Sequence, residues 1–375
     1  NNTHPEALCD NETCIILPFD PPSAPNHFRK PIPHEKAAAE ILGGLKAIGL
    51  RALLFLRFTS EIRWSAPGRE QGHFLRETRL IPHHTTARYV DITDGIITET
   101  WIVFHCTTTV TEDDSTHEVT VEVAFQLAKG KVIPARNTEL IVAFPTAKRT
   151  ELGFLIQGPF KTTKARDNIA HDSEANRQMM QVAANLAADA LEELRDLDLL
   201  TLNSYNALPL EASVFDEEGT RFFKPVYDAM RDALRIRPLL PTNNGRYVPA
   251  TQARLARGAR LAEVFSPRQL GRLLDTGPLY WLDTDITADG MSKLHTYLAG
   301  PAWKQEPLVA GIEIDARDIA QRLTPEFFAT QSKRWLICFY SYIADNFSAF
   351  KSTPFLRLAN GTHVSPGSAD KPNAY

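Results

Sequence analysis

Leu152-Gly-Phe-Leu-Ile-Gln-Gly-Pro-Phe-Lys-Thr-Thr-Lys-Ala-Arg166-Asp-Asn-Ile-Ala-His-Asp172, with the residues that follow it, decides how the chain is organised. Phe154, Leu155 and Ile156 form a short apolar run between glycines, which reads as a buried strand. Gly158-Pro159 breaks it. Thr162 or Thr163 is placed to cap a first helical turn, and Asp172-Ser173 offers a second start. Beyond it Met179, Ala183, Leu186, Ala190 and Leu194 recur at three- and four-residue spacing. That spacing predicts one apolar face of a helix roughly 20 residues long. Lys161, Lys164 and Arg166 crowd the expected strand-to-helix junction. Cations oppose the dipole at a helix start, whereas the free N–H groups there favour an anion such as phosphate. The competing local reading pairs Arg166 with Asp167, Asp172 or Glu174.

The chain has 375 residues, 43% hydrophobic and 23% charged, with a net charge of −4. This is ordinary globular composition, of a length for two or three domains, with core enough to need no disulfide or metal. The charge balance gives no chain-wide footprint for nucleic acid or an anionic membrane. Cys9, Cys14, Cys106 and Cys338 are scattered, without zinc-finger spacing, and read as reduced thiols of a cytoplasmic protein. No apolar run is long enough to cross a membrane, and no signal peptide is read. The chain opens on Asn1 and is expected to be part of a longer protein.

Around the central segment the pattern is α/β. Ile15, Ile16 and Leu17 read as a strand, followed by a proline-rich linker through Pro33. Residues 34–50 read as a helix with Ala37, Ile41, Leu45 and Ile48 on one face, and Ala52–Arg57 as a buried strand. Residues 72–145 are rich in strands. Thr100–Val110 is expected to pair with His117–Phe125, where Val119, Val121, Val123 and Phe125 share a face. A further strand, Leu140–Phe144, is expected to end at Pro145. With helices at 34–50 and after 173, this predicts an α/β sandwich with helices on one face of a sheet. Helical spacing then dominates, at Pro225–Leu234, Ala250–Leu261, Pro267–Leu274, Ile314–Leu323 and Pro325–Phe347. The expected division is 1–33, 34–198 and a mainly helical 199–375.

Phe154-Leu-Ile-Gln-Gly-Pro-Phe160, Thr162-Thr-Lys-Ala-Arg-Asp-Asn-Ile169 and Asp172-Ser-Glu-Ala-Asn176 resemble the sacsin-like branch of the GHKL ATPases, relatives of the ninety-kilodalton heat-shock chaperone. Thr13-Cys-Ile-Ile-Leu-Pro18, Glu61-Ile-Arg-Trp64, Val248–Arg257 and Phe327–Leu336 extend the resemblance over most of the chain. It implies a middle domain of the heat-shock-chaperone type, preceded by the last strand of a nucleotide-binding domain. It also implies that Arg166 reaches the γ-phosphate of ATP. Ala165 stands where the chaperone has serine, which removes any capping role of that serine. Gln157 lies at the same corner, positioning phosphate or water or satisfying the loop backbone, and Lys161 and Lys164 add positive potential or form solvated surface.

The chain carries no ATP site of its own. Asp-x-Gly-x-Gly is missing, and Gly130-Lys131 is followed by Val132 rather than Ser or Thr. ATP and Mg²⁺ are therefore expected on an upstream domain of the same protein. A protein client or partner and a second copy complete the implied partners. The alternative is a non-catalytic interaction scaffold, with residues 34–196 as frame and the helical half holding a partner. A third reading takes His83, His84, His105 and His117, with Glu118, Asp113 and Asp114, as a metal-dependent hydrolase, although their spacing fits no standard site. Phe327, Phe328, Trp335, Phe339 and Tyr340 read as core packing or a partner stripe, and Arg254, Arg257 and Arg260 as one charged helical face.

Overall fold

The computed structural model describes residues 32–65, 71–112, 115–170, 172–300, 307–309, 311–368 and 371–372. The expected strand at 15–17, the proline-rich linker as far as residue 31, Cys9, Cys14 and Asp113-Asp114 lie outside them. The chain is α/β. It opens with α1 (His34–Ile48) and continues into strands β1 (Glu61–Trp64), β2 (Gly72–Leu80), β3 (Ala87–Thr93), β4 (Thr98–Glu112), β5 (Ser115–Ala128), β6 (Lys131–Ile133), β7 (Glu139–Val142), β8 (Phe144–Arg149) and β9 (Leu155–Gln157). These form one mixed sheet of order β1-β2-β3-β4-β5-β9-β7-β8, with β6 also paired to β5. The pairs from β1 to β5 are antiparallel, and β9 lies parallel to β7.

The β4–β5 hairpin is the spine, in register from Thr100↔Leu127 to Glu112↔Ser115. Successive side chains point to opposite faces. Ile102, Phe104, Val121, Val123 and Phe125 therefore join one core, and Trp101, Val103 and Ala124 another. The first face is covered by α2 (Glu174–Asp196), backed by α3 (Lys224–Ile236). The helix starts where Ser173 accepts a hydrogen bond from the Asn176 amide, as the Asp172-Ser173 start predicts. Small residues at its inner face, Ala183, Ala184, Ala187 and Ala188, let it lie close against Phe125 and Phe154, whose ring centroids are 4.8 Å apart.

The second face is closed differently from the sequence expectation. Ala52–Phe55 is not a strand: Leu50–Leu53 is a 3₁₀ turn that plugs buried Leu53, Leu54 and Phe55 against Val90, Trp101 and Leu155. A short apolar run signals burial, not the dihedrals that achieve it. Arg51 fixes the plug, stacking 5.1 Å over Trp101 and pairing with Glu99 at 3.1 Å. α1 forms as expected but does not cover the sheet: Ala37 is its buried residue, and Ile41 is exposed. Likewise Pro145 does not end a strand. Ala143, at φ 60°, turns β7 back into β8, which contains Pro145.

The core on the α2 side runs on without a break through Leu199, Leu240 and Leu298 to Ile312. Beyond α3 come β10 (Leu240–Pro241), β11 (Tyr247–Val248), β12 (Ala253–Ala256), α4 (Ala259–Val264), α5 (Pro267–Leu273), β13 (Tyr280–Trp281), α6 (Ser292–Ala299), β14 (Glu313–Ile314), α7 (Ala316–Ala320), α8 (Pro325–Ala329) and α9 (Lys333–Phe350). Ala250–Leu261 is thus not one helix. β12 pairs in parallel with β13 and β14, and the three arginines part company: Arg257 pairs with Glu313 at 3.0 Å and Arg260 with Asp345. Phe327, Phe328 and Phe339 are buried in a second core, with Trp335 and Tyr340 packed against it, as the core-packing reading expects. No helix among the described residues is long and apolar enough to cross a membrane.

Phe125 joins hairpin to helix and is wholly buried. Replacing it with alanine is expected to cost about 3–5 kcal/mol, the range for a buried phenylalanine, measured as a lowered urea midpoint at unchanged slope.

Candidate functional site

The corner between β9 and α2 is a fixed loop, not a helix start. Thr162 pairs with Ile169 in an isolated β-bridge, and the expected helical turn at Thr162 or Thr163 does not form. Asn176, fully buried in the first turn of α2, ties both ends of the loop together. Its Oδ1 accepts the Lys161 amide at 2.8 Å, and its Nδ2 donates to the carbonyls of Lys161 (2.9 Å) and Ala170 (3.0 Å). The Ala170 amide also donates to the Lys161 carbonyl at 3.0 Å. Side-chain hydrogen bonding of this kind competes with helix formation, and here it defeats the predicted turn. The helix dipole therefore meets Glu174 in its first turn rather than the three cations.

The predicted residues are brought into one region but given different work. Lys161 is exposed and pairs with Glu112 at 2.6 Å. That contact, followed by the hydroxyl of Ser173, holds the Glu112 carboxyl below its ordinary range. Lys164 is exposed. Arg166 stands at the loop's far end with φ 58°, in the left-handed region that non-glycine residues enter at a cost of about 1–2 kcal/mol. Its amide donates to the Thr163 carbonyl, and its own carbonyl accepts from Ala147 at 3.1 Å. Its Nη2 donates to the carbonyls of Val142 (2.9 Å) and Phe144 (3.0 Å). The local ion-pair reading is thus corrected. The guanidinium reaches across to the β7–β8 turn, Asp167 accepts from Thr163, and Glu174 pairs with Arg177 at 2.6 Å.

A cation not singled out in the sequence lies beneath this loop. Lys148 is buried in β8 and donates to Oδ1 of Asn168 at 2.9 Å. Burial lowers its ammonium pKa. The available signal was its alternation with Thr146, also buried.

Gln157 takes no part in Arg166's side-chain bonds. It is paired in register with Glu122 and lines a cavity of about 330 Å³ together with Arg57, Thr120 and Ala143. The two predicted residues flank one turn: Ala143 borders the cavity of Gln157, and its neighbours' carbonyls hold Arg166. A larger cavity of about 770 Å³, lined by Thr138, Arg149, Glu151, Ser213 and Lys293, contains none of the predicted site residues.

The histidines do not converge. His84 pairs with Glu193 at 3.2 Å, and among the described residues no three His, Cys, Asp or Glu side chains come together as a metal site. Cys106 and Cys338 are free thiols. No protein-family model, curated protein or solved structure matches this chain.

Asn176→Ala removes three hydrogen bonds of a buried side chain at once. The expected cost is about 2–4 kcal/mol, since the orphaned loop groups keep their desolvation penalty. Urea unfolding of variant and wild type measures it.

Proposed function

We propose that this chain is the middle region of a chaperone-type ATPase of the sacsin-like GHKL branch, with a middle domain of the heat-shock-chaperone type. In this reading ATP and Mg²⁺ sit on an upstream nucleotide-binding domain, and this chain contributes one cation, Arg166. Nucleotide state is passed through the α2 corner to the helical region, where a client or partner binds.

The carrying observation is how Arg166 is held. Its loop is tied at both ends to one buried side chain, and its backbone is held in a costly conformation by one bond to Ala147 of β8 and one to Thr163. Strained, over-determined residues of this kind cluster at functional sites. The guanidinium uses Nη2 alone for its two carbonyl bonds, which leaves the Nε and Nη1 donors outside them. A fixed guanidinium with donors to spare suits a group that stabilises charge on a transferring phosphoryl, because it need not reorganise during the reaction. Gln157, Lys161 and Lys164 are supporting groups in this reading, Lys161 in tension with its bond to Glu112.

The scaffold reading rests on a separate observation. α1 turns Ile41 to solvent, and Ile32, Phe58, Ile96 and Ile97 are also exposed. Exposed apolar groups mark a partner site where they join into one contiguous patch.

ATP turnover by the protein with its upstream domain, wild type against Arg166→Ala, separates the two. The ATPase reading predicts a fall of about 10²–10³-fold in kcat, as for loss of one charge-stabilising donor, with nucleotide affinity largely kept. Unchanged turnover would favour the scaffold.

A further inference from the structure

The sheet face opposite α2 changes character along its strands. At one end it is apolar and roofed by the plug at Leu53–Phe55. Two residues further along each strand the same face carries Arg76, Arg88, His105, Thr107, Thr120 and Glu122. These six floor an open groove of about 400 Å³, walled by Phe55, Leu56 and Arg57. It continues around Thr120 and Glu122 into the cavity that holds Gln157.

The groove is over-supplied with cation and donor. Arg88 pairs with buried Glu122 at 2.5 Å. Arg57 donates to the Thr120 hydroxyl at 2.6 Å. Nη1 of Arg76 donates to the carbonyls of Leu53 (3.0 Å) and Leu56. Three guanidinium-bearing residues and one carboxylate, Glu122, line the groove itself, an excess of two positive charges, and Glu118 lines the cavity into which it continues. Burial, and after it the charge of Arg88, depress the Arg76 guanidinium pKa. Two buried nitrogens of groove-lining residues, Nε of Arg76 and Nδ1 of His105, have no hydrogen-bond partner. A buried polar group left unpaired costs about 1–3 kcal/mol, and the fold carries two in one place.

We propose that this groove binds the phosphoryl group of a small phosphate monoester. Such a group carries about −1.5 to −2 charges at neutral pH, which matches the excess. Guanidinium groups recognise its oxygens through paired N–H donors. The hydroxyl-bearing Thr78 and Thr107 line the same walls. The volume suits a ligand of small-molecule size. Arg166 plays no part, so the groove stands or falls independently of the ATPase reading.

Isothermal titration of the full chain with inorganic phosphate and with phenyl phosphate tests this, with acetate as the monoanion comparison. The expected result is one saturable site for both phosphates, with acetate at least roughly tenfold weaker. Arg57→Ala, at an exposed position, is expected to weaken phenyl phosphate roughly tenfold, the loss due to one charge-assisted hydrogen bond, with thermal unfolding unchanged. Arg76→Met is expected to weaken it at least as much; should that variant unfold, Arg57→Ala decides alone. No saturable phosphate binding, equal binding by folded Arg57→Ala, or acetate bound as tightly as phosphate would each overturn the proposal.

Discussion

Two-residue alternation along the β4–β5 hairpin is the constraint on which the rest of the structure depends. With the register fixed from Thr100↔Leu127 to Glu112↔Ser115, Ile102, Phe104 and Phe125 must face α2, and Trp101, Val103 and Ala124 must face the 3₁₀ plug. A slip of one residue would turn every side chain to the wrong face. It would bury His105 and Glu122 under α2 and expose the aromatic core. Two different coverings, a long helix and a short turn, each match one face, so the slipped register has no compensating partner.

The same alternation positions both candidate sites. β9 joins the hairpin through Val123↔Ile156 and Glu122↔Gln157, so the strand leading into the Arg166 loop is part of the sheet that floors the arginine groove. The β7–β8 turn lies between them. Its carbonyls hold Arg166 on one side, and on the other Ala143 borders the cavity of Gln157, into which the groove continues. A cation on a loop is useful only if the loop is stiff. The stiffness here comes from Asn176, whose buried amide has its donors and acceptor taken up by loop backbone.

Much of the frame was legible in the sequence. β4, β5 and α2 announce themselves because their periods, two and near 3.6, run long enough to be unambiguous, and Ser173 gives the helix start chemically. Short segments were not legible. Ala52–Phe55 and Ala253–Ala256 are apolar in part and brief, and tertiary packing selects a 3₁₀ turn for one and a strand for the other. The Arg166 corner was located correctly, but its form was not, because the deciding bonds come from the buried amide of Asn176, which local spacing assigns only to the helix, and from the β7–β8 carbonyls, more than 20 residues away. The arginine groove was hidden for a related reason: its side chains come from separate strands and meet only across the sheet. The readable clue was phase. His105 follows Trp101 and Val103 on one face, and Glu122 precedes Ala124, so each is a polar residue in step with a buried apolar run.

The central claim is that the Arg166 loop is part of the rigid frame rather than a surface appendage. Native-state hydrogen exchange at the amides of Lys161 and Ala170 tests it most directly, because those two donate to Asn176 and to Lys161 across the base of the loop. The account predicts protection within about tenfold of the amides in the middle of α2, since loop and helix should open together as one unit. Exchange as fast as at exposed Lys164, with α2 still protected, would contradict it.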